Sequence, residues 1–272
     1  MSLRLKRELS EGDRPIARVV GGKPDGNCFL VVSDDHKGVE ALEIGMDSRF
    51  ELIPECREKT AQHVHVVGPS GCGKSSTCQE LVNNYPGKSI VVSADEEEDS
   101  NLAHVDGRIK ADETLGELEI EELRSPNGTM VIFDDIEGVP KPVAKSLNIL
   151  KRALHERGRK YGICTVNVYH RGADGESTRS SLGEMTHMVL FPQFANNQNT
   201  RYLLSKYAGL PENFCDLLSN PLWGRRVLIA INDVPQYVVG EHAAAILNHS
   251  TIEALAKHHR KAHAAKIADA LK

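Results

Sequence analysis

The stretch His63-Val-His-Val-Val67-Gly68-Pro69-Ser70-Gly71-Cys72-Gly73-Lys74-Ser75 constrains the fold of this chain more than any other. Its glycine segment fills every fixed position of G-x-x-x-x-G-K-[ST], with a β-rich run before it and a helix-forming run, Ser75–Asn84, after it. Tyr85-Pro86-Gly87 then ends the helix. A strand that passes through a glycine turn straight into a helix points backbone N–H groups at one spot and adds the positive end of the helix dipole there. The pattern therefore predicts a phosphate cradle made of Gly68, Pro69, Ser70, Gly71, Cys72, Gly73, Lys74, Ser75 and the adjoining Ser76. Lys74 is expected to reach the β- and γ-phosphates of a nucleoside triphosphate, ATP, and the Ser75 hydroxyl to ligate Mg²⁺.

From residue 61 onward, strand and helix signals alternate. Ser89–Ser93, Met130–Phe133, Ile163–Tyr169, Met188–Phe191, Val227–Ile231 and Tyr237–Val239 read as strands. Val143, Leu147, Leu150 and Leu154 recur at spacings of 4, 3 and 4, the stripe of an amphipathic helix. Strand–helix–strand alternation predicts an α/β P-loop NTPase fold with a mostly parallel central sheet flanked by helices. Residues 61–240 are assigned to this core. Residues 1–60 read as a polar tail and a small β-rich flank, with strands at Ile16–Val20 and Cys28–Ser33 around a turn cluster. Residues 241–272 read as a helical end, with one Ala-rich helix over Thr251–Lys272.

A second motif completes the first. Met130-Val-Ile-Phe133 is a run of four apolar residues typical of a strand covered on both faces, and it ends in Asp134-Asp135, sixty positions after Lys74. Parallel strands deliver such residues to the carboxyl edge of the sheet, beside the phosphates. Asp134 is the expected Mg²⁺ ligand, and Asp135 the group that orients and deprotonates the attacking water. Glu137 is the alternative base.

Composition excludes several other classes. Across 272 residues, 40% are hydrophobic and no apolar run approaches the ~18 needed to span a bilayer, so no stable membrane insertion is expected. The start of the chain has no apolar stretch of the secretory kind. The six cysteines show no Cys-x-x-Cys pair, which argues against a zinc ribbon and a disulfide framework and fits a reducing, intracellular and cytoplasmic setting. Cys72 reads as a small residue that fits the loop, with an activated thiol as the alternative. A net charge of −5 gives no global attraction to nucleic acid, so any such surface must be local. Lys141–Lys160 holds seven Lys/Arg against one acid, whereas 95–99 is a solid acidic block. A solvated helix face is the simpler reading of the basic run, and a contact to DNA phosphates the other. The i, i+4 pair His259/His263 lacks a third ligand and does not read as zinc.

The downstream order of motifs narrows the class. Arg157-Gly-Arg159-Lys-Tyr-Gly is followed by the strand Ile163–Tyr169 ending at His170-Arg171, then by Ser177-Thr-Arg179-Ser-Ser-Leu and Thr186-His-Met-Val-Leu-Phe191. Together with the two nucleotide motifs, this resembles the genome-packaging ATPases of large DNA viruses, a branch of the FtsK–HerA superfamily, over roughly residues 62–210. The resemblance implies a homo-oligomeric ring that hydrolyses ATP with Mg²⁺ and pumps double-stranded DNA into a preformed capsid, docking on capsid or portal-vertex proteins in the host cell or virion. It places His170 at a sensor position usually held by Gln or Asn, a departure that makes the sensor titratable. It also implies an arginine supplied to a neighbour's nucleotide, for which Arg179 is the first candidate and Arg159 the second. Two other classes remain open at this point. A nucleotide kinase or phosphotransferase shares the loop but adds a basic lid that is not recognisable here. A nucleotide-gated scaffold with negligible turnover would not need the Asp134-Asp135 pair. An ABC-type ATPase would require an LSGGQ-like segment, and there is none.

Overall fold

The computed structural model describes residues 1–22, 28–35, 37–55, 60–94, 100–172, 181–194, 198–211, 214–218 and 220–257. Contacts divide the chain into two compact units, one of residues 51–189 and one joining 1–50 with 190–272. The chain opens with β1 (Ser2–Lys6), β2 (Arg14–Gly21), β3 (Phe29–Ser33), β4 (Ala41–Glu43) and β5 (Ser48–Leu52). Four of these form a sheet in the order β1-β3-β2-β5, with β3 antiparallel to both β1 and β2.

The unit 51–189 contains β6 (His63–Val67), α1 (Lys74–Asn83), β7 (Lys88–Ser93), β8 (Gly107–Lys110), β9 (Thr129–Asp134), α2 (Lys141–Arg157), β10 (Ile163–Tyr169) and β11 (His187–Leu190). Their order in the sheet is β11-β6-β10-β9-β7-β8. Every pairing from β6 across to β8 is parallel. All residues of β6, β9 and β10 are buried, as expected of strands covered on both faces; the apolar run Met130–Phe133 reflects this, whereas β6 and β10 also bury His63, His65, Thr165 and Asn167. The apolar stripe of α2, Leu147, Leu150 and Leu154, packs on Val131 and Phe133 of β9, Ile90 and Val92 of β7 and Ile163 of β10. The mostly parallel sheet with flanking helices, entered from a glycine loop, is the α/β P-loop NTPase architecture that the sequence predicts.

In the other unit, α3 (Gln198–Lys206) and α4 (Phe214–Leu218) precede β12 (Val227–Ala230), β13 (Gln236–Val239) and β14 (Ala243–Leu247). These strands run antiparallel, and β14 pairs with β4 in the register Ala243↔Glu43. Arg14 donates to both carboxylate oxygens of Asp233, at 3.0 and 2.7 Å, and buried Arg226 donates to Phe50 O at 2.6 Å. Residues 249–257 are helical, the first part of the helix expected over Thr251–Lys272; the remainder lies outside the described residues.

Two expectations need correction. The cysteines, read as forming no disulfide framework, include one that is disulfide-bonded, Cys164, while Cys28, Cys72, Cys78 and Cys215 form no disulfide. The basic run of α2 is not a uniform solvated face either. Lys141, Lys145, Arg152, Arg157, Arg159 and Lys160 are exposed, but Lys151 shares the stripe position of Leu147 and Leu154 and is buried. No helix among the described residues is long and apolar enough to cross a membrane.

Candidate functional site

The site is assembled by the order of three neighbouring strands. Strand β10 lies between β6 and β9, and all three run in the same direction. Their carboxyl ends therefore present, side by side, the glycine loop after β6, His170 after β10 and Asp134-Asp135 at the end of β9. Strand spacing of ~4.8 Å puts the loop and the acids about two strands, ~10 Å, apart, with the histidine bridging them.

The loop has the backbone that its glycines permit. Gly71 and Gly73 take φ of +75° and +108°, and Gly73 is the residue that caps α1. A side chain at either would be strained. Open space surrounds the place where a Cβ on Gly71 would sit, so no protein atom fills the cradle at that point. Lys74 begins α1 and is only 9% exposed. Its Nζ donates to Gly68 O at 2.9 Å, to Pro69 O at 3.1 Å and to His170 Nδ1 at 3.2 Å.

The contact with His170 has a chemical consequence. A lysine ammonium has only donors, so His170 Nδ1 must accept, and the imidazole is neutral with its proton on Nε2. That nitrogen is the one facing Asp135, with Nε2 at 3.9 Å from Oδ1. Asp135 itself has φ of +47°, the one positive-φ non-glycine residue among those described. Asp is among the few side chains that tolerate this conformation, and strained backbone of this sort is commonly retained where function demands it. The turn aims the second carboxylate outward, half exposed, while Asp134 stays buried at 6% exposure. Glu137, the alternative base, is occupied otherwise: its Oε2 accepts from the His170 backbone N–H at 2.9 Å and ties the loop after β9 to the end of β10.

The other expected residues fall as follows. Ser75 is half-buried and Ser76 exposed at the start of α1. Cys72 is buried, and burial pushes its thiol up against the opposing pull of Lys74, which suits a space-filling residue and not an activated one. Arg159 is exposed in the turn that precedes β10, at the opposite strand end from His170. Arg179 and the acidic block 95–99 lie outside the described residues, as do His259 and His263. No group of three or more metal-binding His, Cys, Asp or Glu occurs among the described residues.

Beneath this edge, between β6, β10 and α2, lies a polar layer that the sequence does not announce. His63 Nδ1 and His155 Nε2 both meet Thr165 Oγ1, at 3.0 and 3.2 Å, and Asn167 donates to the same oxygen at 3.3 Å. Burial pulls His63 down to about 4 and His155 down to about 3, while fully buried His65 is held well below the usual range. These histidines are neutral. Single histidines and a threonine in strand runs carry no spacing signal, so only the sheet register reveals the layer.

No protein-family model matches the sequence, and no curated protein matches it significantly. Solved structures do resemble the fold. The cytoplasmic domain of the type VII secretion ATPase EccC from Thermomonospora curvata aligns with a TM-score of 0.47 at 12% identity, over 85% of this chain and 28% of that one. The pCW3 conjugation coupling protein TcpA aligns at 0.44 and 15% identity, over 87% and 78%. EssC from Geobacillus thermodenitrificans aligns at 0.46 and 11% identity, over 90% and 50%. The chain thus spans about a quarter of the EccC chain and half of the EssC chain. At TM-scores under 0.5, these likenesses are too distant to assign a family or an activity.

Proposed function

We propose that this chain is an ATP phosphohydrolase whose site is the carboxyl edge of β6, β10 and β9, and that it works as a ring-forming motor on double-stranded DNA. The observation that carries the hydrolytic part is the alignment of Lys74, His170 and Asp135: Lys74 hydrogen-bonds His170 at 3.2 Å, and the other ring nitrogen of His170 lies 3.9 Å from the outward Asp135 carboxylate. In this reading, the loop N–H groups and Lys74 hold the triphosphate. Asp135 accepts the proton of the attacking water, and His170 reports to it whether Lys74 has left for the phosphates.

The donors near the loop fit Mg²⁺. A serine hydroxyl, Ser75, and a buried carboxylate, Asp134, are hard oxygen ligands, and a site with few protein ligands suits an ion that completes its shell with phosphate and water. Bound there, the ion would neutralise charge on the phosphates.

The DNA-translocating part rests on the resemblance in sequence to genome-packaging ATPases of large DNA viruses. Capsid or portal proteins as partners, and a neighbour-supplied Arg179 or Arg159, belong to the same reading. It is tested by ATP turnover with and without double-stranded DNA, alongside the mass of the particle in solution. Stimulation by DNA in an oligomer is expected. Turnover indifferent to DNA in a monomer would move the assignment to a phosphotransferase. For the arginine, subunits carrying Arg179→Ala mixed with Asp135→Asn subunits should regain activity in part; absence of rescue counts against a trans role.

A further inference from the structure

Lys151 lies one layer beneath the hydrolytic edge, turned inward by the stripe of α2 and only 5% exposed. Its Nζ donates to Tyr169 Oη at 3.2 Å and sits 5.0 Å from the ring centroids of both Phe133 and Tyr169. Tyr169 Oη is its hydrogen-bond acceptor among the described residues. The two rings occupy telling places, because Phe133 directly precedes Asp134 and Tyr169 directly precedes His170. Side chains alternate along a strand, so pinning Tyr169 inward turns His170 to the other side at the strand end.

A desolvated ammonium costs several kcal/mol unless a carboxylate or its equivalent compensates it, and a leucine or methionine would fill the same volume. Cation–π contact with two rings recovers part of that cost. The titratable groups around Lys151 are Tyr169 on β10, His65 on β6, His155 one turn further along α2, and Glu137 in the loop after β9. Burial pulls Lys151 down to about 7, opposed by attraction to Glu137, and burial pushes Tyr169 up to about 12.

We propose that Lys151 is a positioning residue for hydrolysis: held between the Phe133 and Tyr169 rings, its ammonium sets the Asp134-Asp135 turn and His170 in register with each other. This rests on the ATPase reading above.

The test compares wild type with Lys151→Met, which keeps the length and removes the charge, and Lys151→Arg, which keeps the charge. For each, melting temperature, ATP affinity, kcat and KM between pH 6 and 9, and the ring ¹H–¹⁵N resonances of His170 without nucleotide are recorded. Lys151→Met should melt at or above wild type and bind ATP within about twofold, since it relieves a buried charge and leaves the loop intact. Its kcat should fall roughly tenfold or more, as small misplacements of catalytic groups do, and the His170 resonances should shift. Wild-type kcat should decline as pH rises through about 7, where the ammonium is lost. The decline should move to higher pH in Lys151→Arg and disappear in Lys151→Met. The proposal is overturned if Lys151→Met keeps kcat within about twofold with unmoved His170 resonances, or if its activity falls only in proportion to folded protein. Should wild type bind ATP and not hydrolyse it, the ATPase reading fails, and the resonances alone decide: unchanged His170 signals in Lys151→Met overturn the positioning role.

Discussion

The two compact units of this chain bury their sheets by opposite routes. In the unit 51–189, the strands from β6 across to β8 run parallel, and β6, β9 and β10 are buried along their whole length, with the glycine loop, the acid pair and His170 at their carboxyl ends. In the unit joining 1–50 with 190–272, the strands run antiparallel and the pairings reach across the chain, as in Ala243↔Glu43 and Arg14 with Asp233. The parallel unit concentrates chemistry, because β6, β10, β9, β7 and β8 deliver their last residues to one edge. The antiparallel unit alternates strand direction, so no edge collects such residues, and none of the proposed nucleotide residues lies there. Strand direction alone can decide where a site is possible.

Substitutions can break that comparison. The largest effect is expected at Lys74→Ala, which removes charge-assisted hydrogen bonds of ~1.5–3 kcal/mol each; ATP affinity should fall by about 10²–10⁴-fold in a calorimetric titration. Affinity close to wild type would mean that the parallel unit's edge is not the nucleotide site. A smaller effect concerns the polar layer under α2. His63 and His155 are held neutral, with folded values near 4 and 3 against 6.5, so the unfolded chain takes protons that the folded one refuses. Stability should be intact above pH 6.5 and fall as pH drops toward 4, by about 3 kcal/mol for His63 alone at ~1.4 kcal/mol per unit. Denaturant melts across that range, with His155→Gln showing a shallower slope, measure it; a flat profile contradicts the neutral layer. The smallest effect is expected in the other unit. Arg14→Ala removes a bidentate pair that is partly exposed, with side-chain exposures of 33% and 19%, and should cost about 1 kcal/mol or less. ATP affinity should not change, and a coupled loss would dissolve the separation between the units.

How far the sequence alone reaches follows the same division. His63–Val67 and Ile163–Tyr169 are strands at the residues where their valine-rich, β-branched segments place them, although the polar residues within them gave no hint of their burial. The glycine loop, the acid pair and His170 each stand at the end of such a strand, which is why the sequence places them at one sheet edge; the sensor role of His170 comes from the resemblance alone. The pairing of 1–50 with 190–272 was not, because register between segments some two hundred residues apart leaves no local pattern. Strands β1, β4, β5, β8 and β14 went unread, being short or, in β14, an Ala-rich run. Lys151 escaped for a different reason. A lysine in an amphipathic helix reads as solvated, and only the phase of Leu147, Leu150 and Leu154 places it on the buried side. Glu137 was read as a spare base, whereas the structure ties it to the His170 backbone.

The claim that most of this account depends on is that the edge joining Lys74, His170 and Asp135 hydrolyses ATP. Phosphate release at saturating ATP and Mg²⁺ from wild type and from Asp135→Asn tests it most directly, since asparagine also tolerates φ near +47° and the substitution removes the base while keeping the turn. Wild type should turn over ATP, and Asp135→Asn should keep ATP affinity unchanged with turnover lowered by roughly 10²–10⁴-fold. Equal turnover in the two proteins would contradict it.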